Sequence, residues 1–399
     1  VRFLHTADWH VGKVLKGHDR LPEHRAVLAE IVSLAAAEEV DAVIVAGDLF
    51  ESAVPHPEAQ ALVWRTLIEL RATGAEVIVV AGNHDNAAVF DALSPLFAGL
   101  GVTVAGRVRR PAEGGVVRFR ARSTGEPVEV ALLPYQSQRG IVTSQHLMDA
   151  TSGAARHAQV YADRMAQVIS ALTVGLSAEA VRIVAAHAHV RGGLLGGGER
   201  EAQTIFDYGI DAVSFGSAPH YVALGHLHRP QSIPGGCPIH YSGSPVQVDF
   251  GEVGDATSVN VVEATPTTRA KVSARTITSA RRLRTVEGTL DELLARAGEF
   301  GEDLLRIRVR GTPRTADLAE RVRAAHPHAL EVRVEAPVAV AADRPVTDHR
   351  RSPHELFAGY LAASGIADGR LTALFAELLH DDAAAGAELL AGGALGAGG

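Results

Sequence analysis

Histidines, aspartates and one asparagine stand in short clusters where apolar runs end. "ALGHLHRP" sets His226 and His228 two residues apart after a run of small apolar residues. "TADWH" brings Asp8 and His10, "VAGDLFE" brings Asp48, "VAGNHD" brings Asn83, His84 and Asp85, and "VAAHAHV" brings His187 and His189. Asp, Asn and His without cysteine form an N/O donor set. It suits Mn²⁺, Fe²⁺ or Zn²⁺ in five- or six-coordinate geometry and fits a closed structural zinc site poorly. The candidates are too many for one ion. A carboxylate lying between two subsets points to a bridged pair roughly 3.5–4 Å apart, as in two-metal phosphoester hydrolysis. Such a pair polarises a phosphoryl group and makes hydroxide available near neutral pH. Taken singly, each motif is an ordinary polar strand end. Taken together, five strands would have to end in ligand residue types by coincidence. Asp85 is expected to fix its loop or support a histidine, and His189 to line the site or support His187. His5 lies inside its strand and is expected to be structural.

The elements that must carry these residues are short and alternate in type. "RFLHTADWH", "VDAVIVAGD", "EVIVVAGNHD", "VEVALLP", "VRIVAAHA", "YVALGHLH" and "PIHYSGS" read as strands. "EHRAVLAEIVSLAAAEE", with Val27, Ile31 and Leu34 at helical spacing, and "PEAQALVWRTLIELRATG", closed by Gly74, read as helices. Strand–helix alternation with VIVA-type runs predicts an α/β fold: a largely parallel sheet with helices on both faces. In such sheets, sites assemble at the carboxyl ends of the strands, which is where the clusters stand.

From about Arg281 the pattern becomes strand, helix, strand, helix, strand, a smaller α+β unit ending near Pro337. Two short amphipathic helices follow. One carries Leu356, Phe357, Tyr360 and Leu361 along a face, the other Leu371, Leu374, Phe375 and Leu378. So short a segment cannot bury both stripes by itself, and docking on a partner is their expected use. The expected divisions are residues 1–278, 279–337, 338–381, and an Ala/Gly-rich tail over 382–399 expected to be disordered. There is no internal repeat.

Composition narrows the class. The chain has 399 residues, 47% hydrophobic, with 38 basic and 46 acidic residues and a net charge of -8. That balance argues against a protein that coats nucleic acid by charge alone, though not against a local basic groove. Arg139, Arg191 and Arg229 follow the cluster-bearing segments and are candidates for phosphate contacts. Arg118, Arg120 and Arg122 alternate along one strand face and read as solvated. Cys237 is the lone cysteine, which excludes internal disulfides and a thiolate zinc site. No run approaches the roughly 20 apolar residues of a membrane span, and the first residues read as a strand, not a signal peptide. A soluble, cytoplasmic protein is expected.

The combined pattern D-x-H, GD, GNHD, H and GHxH resembles the calcineurin-like metallophosphoesterase superfamily. Within it, "LHTADWHVGK", "GDLFESAVPHPEA", "LPYQ" and "AHAHVRGG" are similar to the SbcD family, the nuclease subunits of bacterial SbcCD complexes. The resemblance covers residues 1 to about 380. It implies a sandwich of sheets flanked by helices, a small α+β DNA-capping domain, and a C-terminal helix pair that binds an SbcC-type coiled-coil ATPase. It implies one metal held by Asp8, His10, Asp48 and His228, and a second held by Asp48, Asn83, His187 and His226, with Asp48 as the bridge. It implies that His84 does not ligate but faces the scissile phosphate, and that two divalent ions, Mn²⁺ foremost, serve as cofactors. It implies double-strand exonuclease and single-strand or hairpin endonuclease activity on DNA, in repair and recombination, by a homodimer within a heterotetramer. Glu51 stands where bacterial relatives usually have Asp, and His189 where an aromatic residue is usual. The competing readings are a phosphoesterase for nucleotides or small phosphodiesters and a scaffold with a vestigial site. The extra α+β unit and partner-type helices disfavour the first, and the filled ligand positions disfavour the second.

Overall fold

The computed structural model describes residues 1–137, 154–198, 208–311, 317–335, 353–363 and 369–375. In chain order it opens with β1 (Arg2–Thr6), the small hairpin β2 (Val14–Leu15) and β3 (His18–Asp19), and α1 (Leu21–Ala37). Then come β4 (Ala42–Val45), α2 (Pro57–Ala72), β5 (Glu76–Val80), α3 (Ala87–Gly99) and β6 (Val102–Ala105). The next group is β7 (Val116–Arg120), β8 (Pro127–Leu133), α4 (Ala154–Thr173), β9 (Val181–His187), β10 (Tyr221–Gly225), β11 (Gln231–Ile233) and β12 (Ile239–Tyr241). The hairpin β13 (Ser258–Thr265) and β14 (Thr268–Thr276) closes this part.

These strands form two six-stranded sheets, ordered β14-β13-β1-β4-β5-β6 and β11-β12-β10-β9-β8-β7. In the first, β1, β4, β5 and β6 run parallel and the β13–β14 edge is antiparallel; in the second, β8, β9, β10 and β12 run parallel and both edges are antiparallel. Strand periodicity alone predicts one largely parallel sheet, and the division into two corrects it. The reason is visible in β4. Ala42 and Ile44 enter a core between the two sheets, together with Val130, Ile183 and Ala223. Val43 and Val45 enter a second core under the helices, with Ile31, Val63 and Leu67. Both faces are apolar, so the sequence shows an unbroken run and cannot tell a sheet neighbour from a helix neighbour. A third core lies on the outer face of the second sheet, where Met165 and Ile169 of α4 pack on Val184, Val222 and Leu224.

Local signals start the helices. Asp19 Oδ1 accepts from the amide of Leu21 at 2.9 Å, and α1 buries Val27, Leu28, Ile31 and Ala35 at i, i+1, i+4 and i+8. Pro57 occupies the first turn of α2, where no amide hydrogen is needed. Asn86 caps α3 by accepting from Ala88 and Val89 at 3.2 Å. That cap directly follows Asn83, His84 and Asp85, so the helix start fixes the loop that carries them.

The α+β unit consists of β15 (Leu283–Gly288), α5 (Leu290–Ala295), β16 (Leu304–Arg310), α6 (Leu318–Ala325) and β17 (Ala329–Glu335). Its three strands form a parallel sheet ordered β15-β16-β17. Val286, Leu293, Ile307, Val309, Leu318 and Val322 build its core. Thr289 and Glu292 form a reciprocal capping box at the start of α5. The joint to the sandwich has a small core of its own, formed by Leu15, Phe250, Leu283 and Leu304.

Residues Val1–Pro337 form one compact unit and Val338–Gly399 another. The second contains α7 (Pro353–Ala363) and a helical stretch over 369–375. Phe357 of α7 stacks on Phe375 with ring centroids 4.1 Å apart, and Tyr360 lies 6.5 Å from Phe357. Leu361 is buried, while Tyr360, Leu371 and Leu374 are exposed. Leu356 lies within α7, and Leu378 lies outside the described residues.

Candidate metal centre

The carboxyl ends of β1, β4, β5, β9 and β10 meet at one edge of the sandwich. The backbone there is unusual. Asp8, His10, Asp48 and His226 have φ of 54°, 48°, 51° and 109°. Among the described residues only Lys16 and Glu39 share a positive φ without being glycine. Each such residue costs on the order of 1–3 kcal/mol, which folds retain where a side chain must be aimed. The surrounding chain enforces the bend: the amides of Asp8 and His10 donate to the carbonyls of Gly47 at 2.9 Å and Asp48 at 3.1 Å. Two glycines make room. A Cβ at Gly82 would lie 2.1 Å from Asp48 Oδ1, and one at Gly47 would lie 2.3 Å from His187 Nδ1.

All seven proposed ligands converge. The Nε2 atoms of His10 and His228 are 3.0 Å apart. Asn83 Oδ1 is 2.9 Å from both His187 Nε2 and His226 Nδ1. Asp48 lies between the two groups, with Oδ2 3.4 Å from His187 Nε2 and 3.9 Å from His10 Nε2. Its Oδ1 accepts from the His84 amide at 2.7 Å. Both Asp8 oxygens accept from the His226 amide, at 3.0 and 3.2 Å. Among the described residues, three sets of donor atoms fit within 4.8 Å of one another: Asp8, His10 and His228; His10, Asp48 and His84; Asp8, Asp48 and His187.

The histidine tautomers decide what these atoms can bind. His10 Nδ1 meets Glu51 Oε2 at 3.0 Å, His228 Nδ1 meets Glu252 Oε1 at 2.6 Å, and His187 Nδ1 meets the Ala46 carbonyl at 2.8 Å. Carboxylates and carbonyls only accept, so each Nδ1 carries the proton and donates. In the neutral rings, the Nε2 lone pairs of His10 and His228 then face each other and cannot bond to one another. A cation between them satisfies both.

Charge points the same way. Burial works against the Asp48 carboxylate, but the charge and hydrogen bond of His187, with His10 and His84 nearby, hold it well below the usual carboxylate range. Burial would lower His187, and Asp48 outweighs it, raising that ring to about 9. Burial pushes Asp8 up to about 7 against the pull of His187 and His228. Burial takes His10 down to about 4 despite its bond to Glu51, and puts His226 well below its ordinary value beside His187. Two buried carboxylates and four buried imidazoles in one place are costly without a positive partner. Divalent cations fit this donor set, and their binding would displace the remaining protons from it.

The neighbouring residues fall into place around this centre. Asp85 accepts from the amides of Gly82 at 2.8 Å, Phe50 at 3.1 Å and Leu49 at 3.3 Å, tying two site loops together. His84 Nδ1 contacts the Glu51 carbonyl at 2.7 Å, and its ring stands at 87° to that of His10 with centroids 4.7 Å apart. Glu51 also binds Lys13 Nζ at 2.9 Å, so the residue that departs from the family pattern supports His10. The half-buried His189 lies 6.3 Å from the His226 ring. His5 is tied between the sheets to Tyr221 Oη at 2.9 Å and to the Leu224 carbonyl at 3.2 Å. Arg191 pairs with Asp211 at 3.0 Å and Arg229 with Asp255 at 3.3 Å, while Arg139 lies outside the described residues.

Two residues at the centre are not among the site residues read from the sequence: Glu252 stands in no motif, and Tyr135 enters only as part of "LPYQ". Glu252, on a short turn over Phe250–Glu252, holds His228 although it is 24 positions away. Tyr135 stacks on His226 at 6.2 Å and meets His187 edge-on at 6.1 Å. Both are ordinary residue types placed only by the tertiary fold.

Residues 1–230 match the family model described as calcineurin-like phosphoesterase, and residues 279–364 match one described as type 5 capsule protein repressor C-terminal domain. The D subunit of the nuclease SbcCD from Bacillus subtilis (strain 168) is 35% identical over 268 residues, which is 67% of each chain. The protein of that name in Rhodobacter capsulatus is 35% identical over 265 residues, 64% of each chain. That of Escherichia coli (strain K12) is 32% identical over 276 residues, 66% of this chain and 64% of its own. The chain thus spans about two thirds of the length of these relatives. Matched by the family model over more than half of its length, the chain belongs to the calcineurin-like phosphoesterase family and is a relative of the D subunits of SbcCD nucleases.

Proposed function

We propose that this protein is the nuclease subunit of an SbcCD-type complex, a metal-dependent hydrolase that cleaves phosphodiester bonds of DNA. The observation that carries the reading is the pair of imidazole Nε2 atoms 3.0 Å apart, each ring held by a carboxylate at its Nδ1. That arrangement has no use without a cation. Asp8, His10, Asp48 and His228 would hold one ion, and Asp48, Asn83, His187 and His226 the other. When bound, the two ions supply Lewis acidity at the phosphoryl group and a nucleophile from water at neutral pH. Glu51, Glu252 and the Ala46 carbonyl keep the rings in the ligating tautomer. His84 Nδ1–H donates a hydrogen bond to the backbone carbonyl of Glu51, so a proton on Nε2 is the one it can deliver to the leaving oxygen.

The α+β unit and the loops at the metal edge would receive the DNA, with Arg139, Arg191 and Arg229 as the candidates for phosphate contacts. The segment around α7 would dock on an SbcC-type coiled-coil ATPase, and the complex would contain a homodimer of this chain. Tyr360 and Leu374 support that reading, because they stay exposed when Phe357 and Phe375 stack. No helix among the described residues is long and apolar enough to cross a membrane. As an enzyme of chromosomal DNA, the complex would work in the cytoplasm.

One assay tests the whole reading: hairpin and blunt duplex DNA, with Mn²⁺ or Mg²⁺, with and without the ATPase and ATP. Mn²⁺ should support cleavage better than Mg²⁺, which prefers all-oxygen shells, and chelation should abolish it. Equal rates in Mg²⁺ alone would count against the site. DNA left intact while nucleotides or small phosphodiesters are hydrolysed would move the protein to the competing phosphoesterase class. In the same assay Tyr360→Asp should leave the basal rate intact and remove stimulation by the ATPase, since it charges an apolar docking face. Full stimulation of that variant would take α7 out of the interface.

A further inference from the structure

A continuous hydrogen-bonded path runs from His228 to the small α+β unit. Glu252 binds His228 through one oxygen and the Val248 amide through the other, both at 2.6 Å. The backbone carbonyl of Glu252 accepts from Gln247 Nε2 at 2.8 Å, and the same amide nitrogen donates to the Asp255 carbonyl at 3.1 Å. The other end of that side chain, Gln247 Oε1, accepts from the amide of Leu283 at 2.7 Å. Leu283 is the first residue of β15. Gln247 is 6% exposed, so water does not compete for these bonds.

Two further contacts reinforce the path. The Arg281 amide donates to Glu23 Oε1 at 2.8 Å. Glu23 grips the buried Arg20 through bonds of 2.8 and 2.7 Å, and Arg20 donates to the backbone carbonyl of Gln247. Both amides by which the chain enters the α+β unit are therefore tied, directly or through Arg20, to Gln247. The turn that bears Glu252 also bears Phe250, whose ring sits in the joint core with Leu283 and Leu304, 4.5 Å under the Arg306 guanidinium. A displacement of the α+β unit must pull on the turn that holds His228.

We propose that Gln247 is a positioning residue that makes the affinity for the ion held by His228 depend on how the α+β unit is seated. The inference rests on the two-metal reading above and deepens it. The side-chain chemistry is specific. Position 247 needs an acceptor for the Leu283 amide and two donor hydrogens for the Glu252 and Asp255 carbonyls, and only a carboxamide offers that set. A glutamate keeps the first bond and turns lone pairs on the two carbonyls. A leucine keeps neither.

The test is calorimetric titration of the full chain with Mn²⁺ for wild type, Gln247→Glu and Gln247→Leu, with amide hydrogen exchange across β15 in the absence and presence of Mn²⁺. Wild type should bind two ions and gain protection at the start of β15 when they bind, because coupling between sites is reciprocal. Gln247→Glu is isosteric and should fold. It should bind one ion as wild type does, lose about tenfold or more in affinity for the other, as supporting-residue changes do, and lose the response in β15. Gln247→Leu should do the same with a lower thermal midpoint. Two ions bound with wild-type affinity by Gln247→Glu, with β15 still responding, would overturn the proposal and leave the metal centre standing, whatever happens to the thermal midpoint. A wild-type chain that binds no Mn²⁺ would overturn the metal reading and the proposal together.

Discussion

Asp48→Ala should carry neither ion and should cleave DNA no faster than the chelated wild type. Asp48 lies within 4 Å of a ring from each group, His187 at 3.4 Å and His10 at 3.9 Å. Removing it takes a ligand from each ion and the negative charge that keeps His187 raised to about 9. It also removes the acceptor of the His84 amide. The effect is therefore not confined to one ligand. Elemental analysis of the purified variant checks it, with a thermal melt to show that the variant is folded. Retention of one ion at full occupancy would mean that Asp48 belongs to one site and does not bridge.

His84→Ala should behave in the opposite way. It should keep two ions and lose turnover by about 10²-fold or more, the usual loss when a proton donor to the transition state is removed. That corresponds to about 2.7 kcal/mol of barrier. Burial and proximity alone do not separate this residue from the ligands, since His84 falls within ligand distance of His10 and Asp48. Its tie to the Glu51 carbonyl at 2.7 Å and its perpendicular stance on His10 favour a ring held beside the ions. Steady-state cleavage of single-stranded DNA with Mn²⁺, paired with metal content, decides it. An emptied site in His84→Ala would make this residue a ligand.

The centre was legible because its residues break a local rule. Asp8, Asp48, Asn83, His187 and His226 each follow an apolar strand at the point where a chain normally places a small or turn residue. Their types point to divalent-metal chemistry, and their number to the pair of ions proposed above. The division into two sheets came from the family resemblance and not from the strand pattern, because β4 buries Ala42 and Ile44 on one face and Val43 and Val45 on the other, and the four look alike. The β13–β14 hairpin gave little signal, since β14 buries no residue fully. The elements of the α+β unit could be read directly, because alternation of period two and helical stretches succeed one another within short spans. Glu252 and Gln247 could not be found by any local pattern. They act through bonds to residues 24 and 36 positions away, and nothing about a glutamate or a glutamine announces such a partner.

The central claim is that two cations share Asp48 between a set with His10 and His228 and a set with Asn83, His187 and His226. Anomalous scattering from crystals grown with Mn²⁺ tests it most directly. The account predicts two peaks, roughly 3.5–4 Å apart, one against the Nε2 atoms of His10 and His228, the other against Asn83 Oδ1 and His226 Nδ1, with Asp48 touching both. A single peak at saturating Mn²⁺, or a pair that leaves the His10 and His228 nitrogens facing each other without a metal, would contradict it.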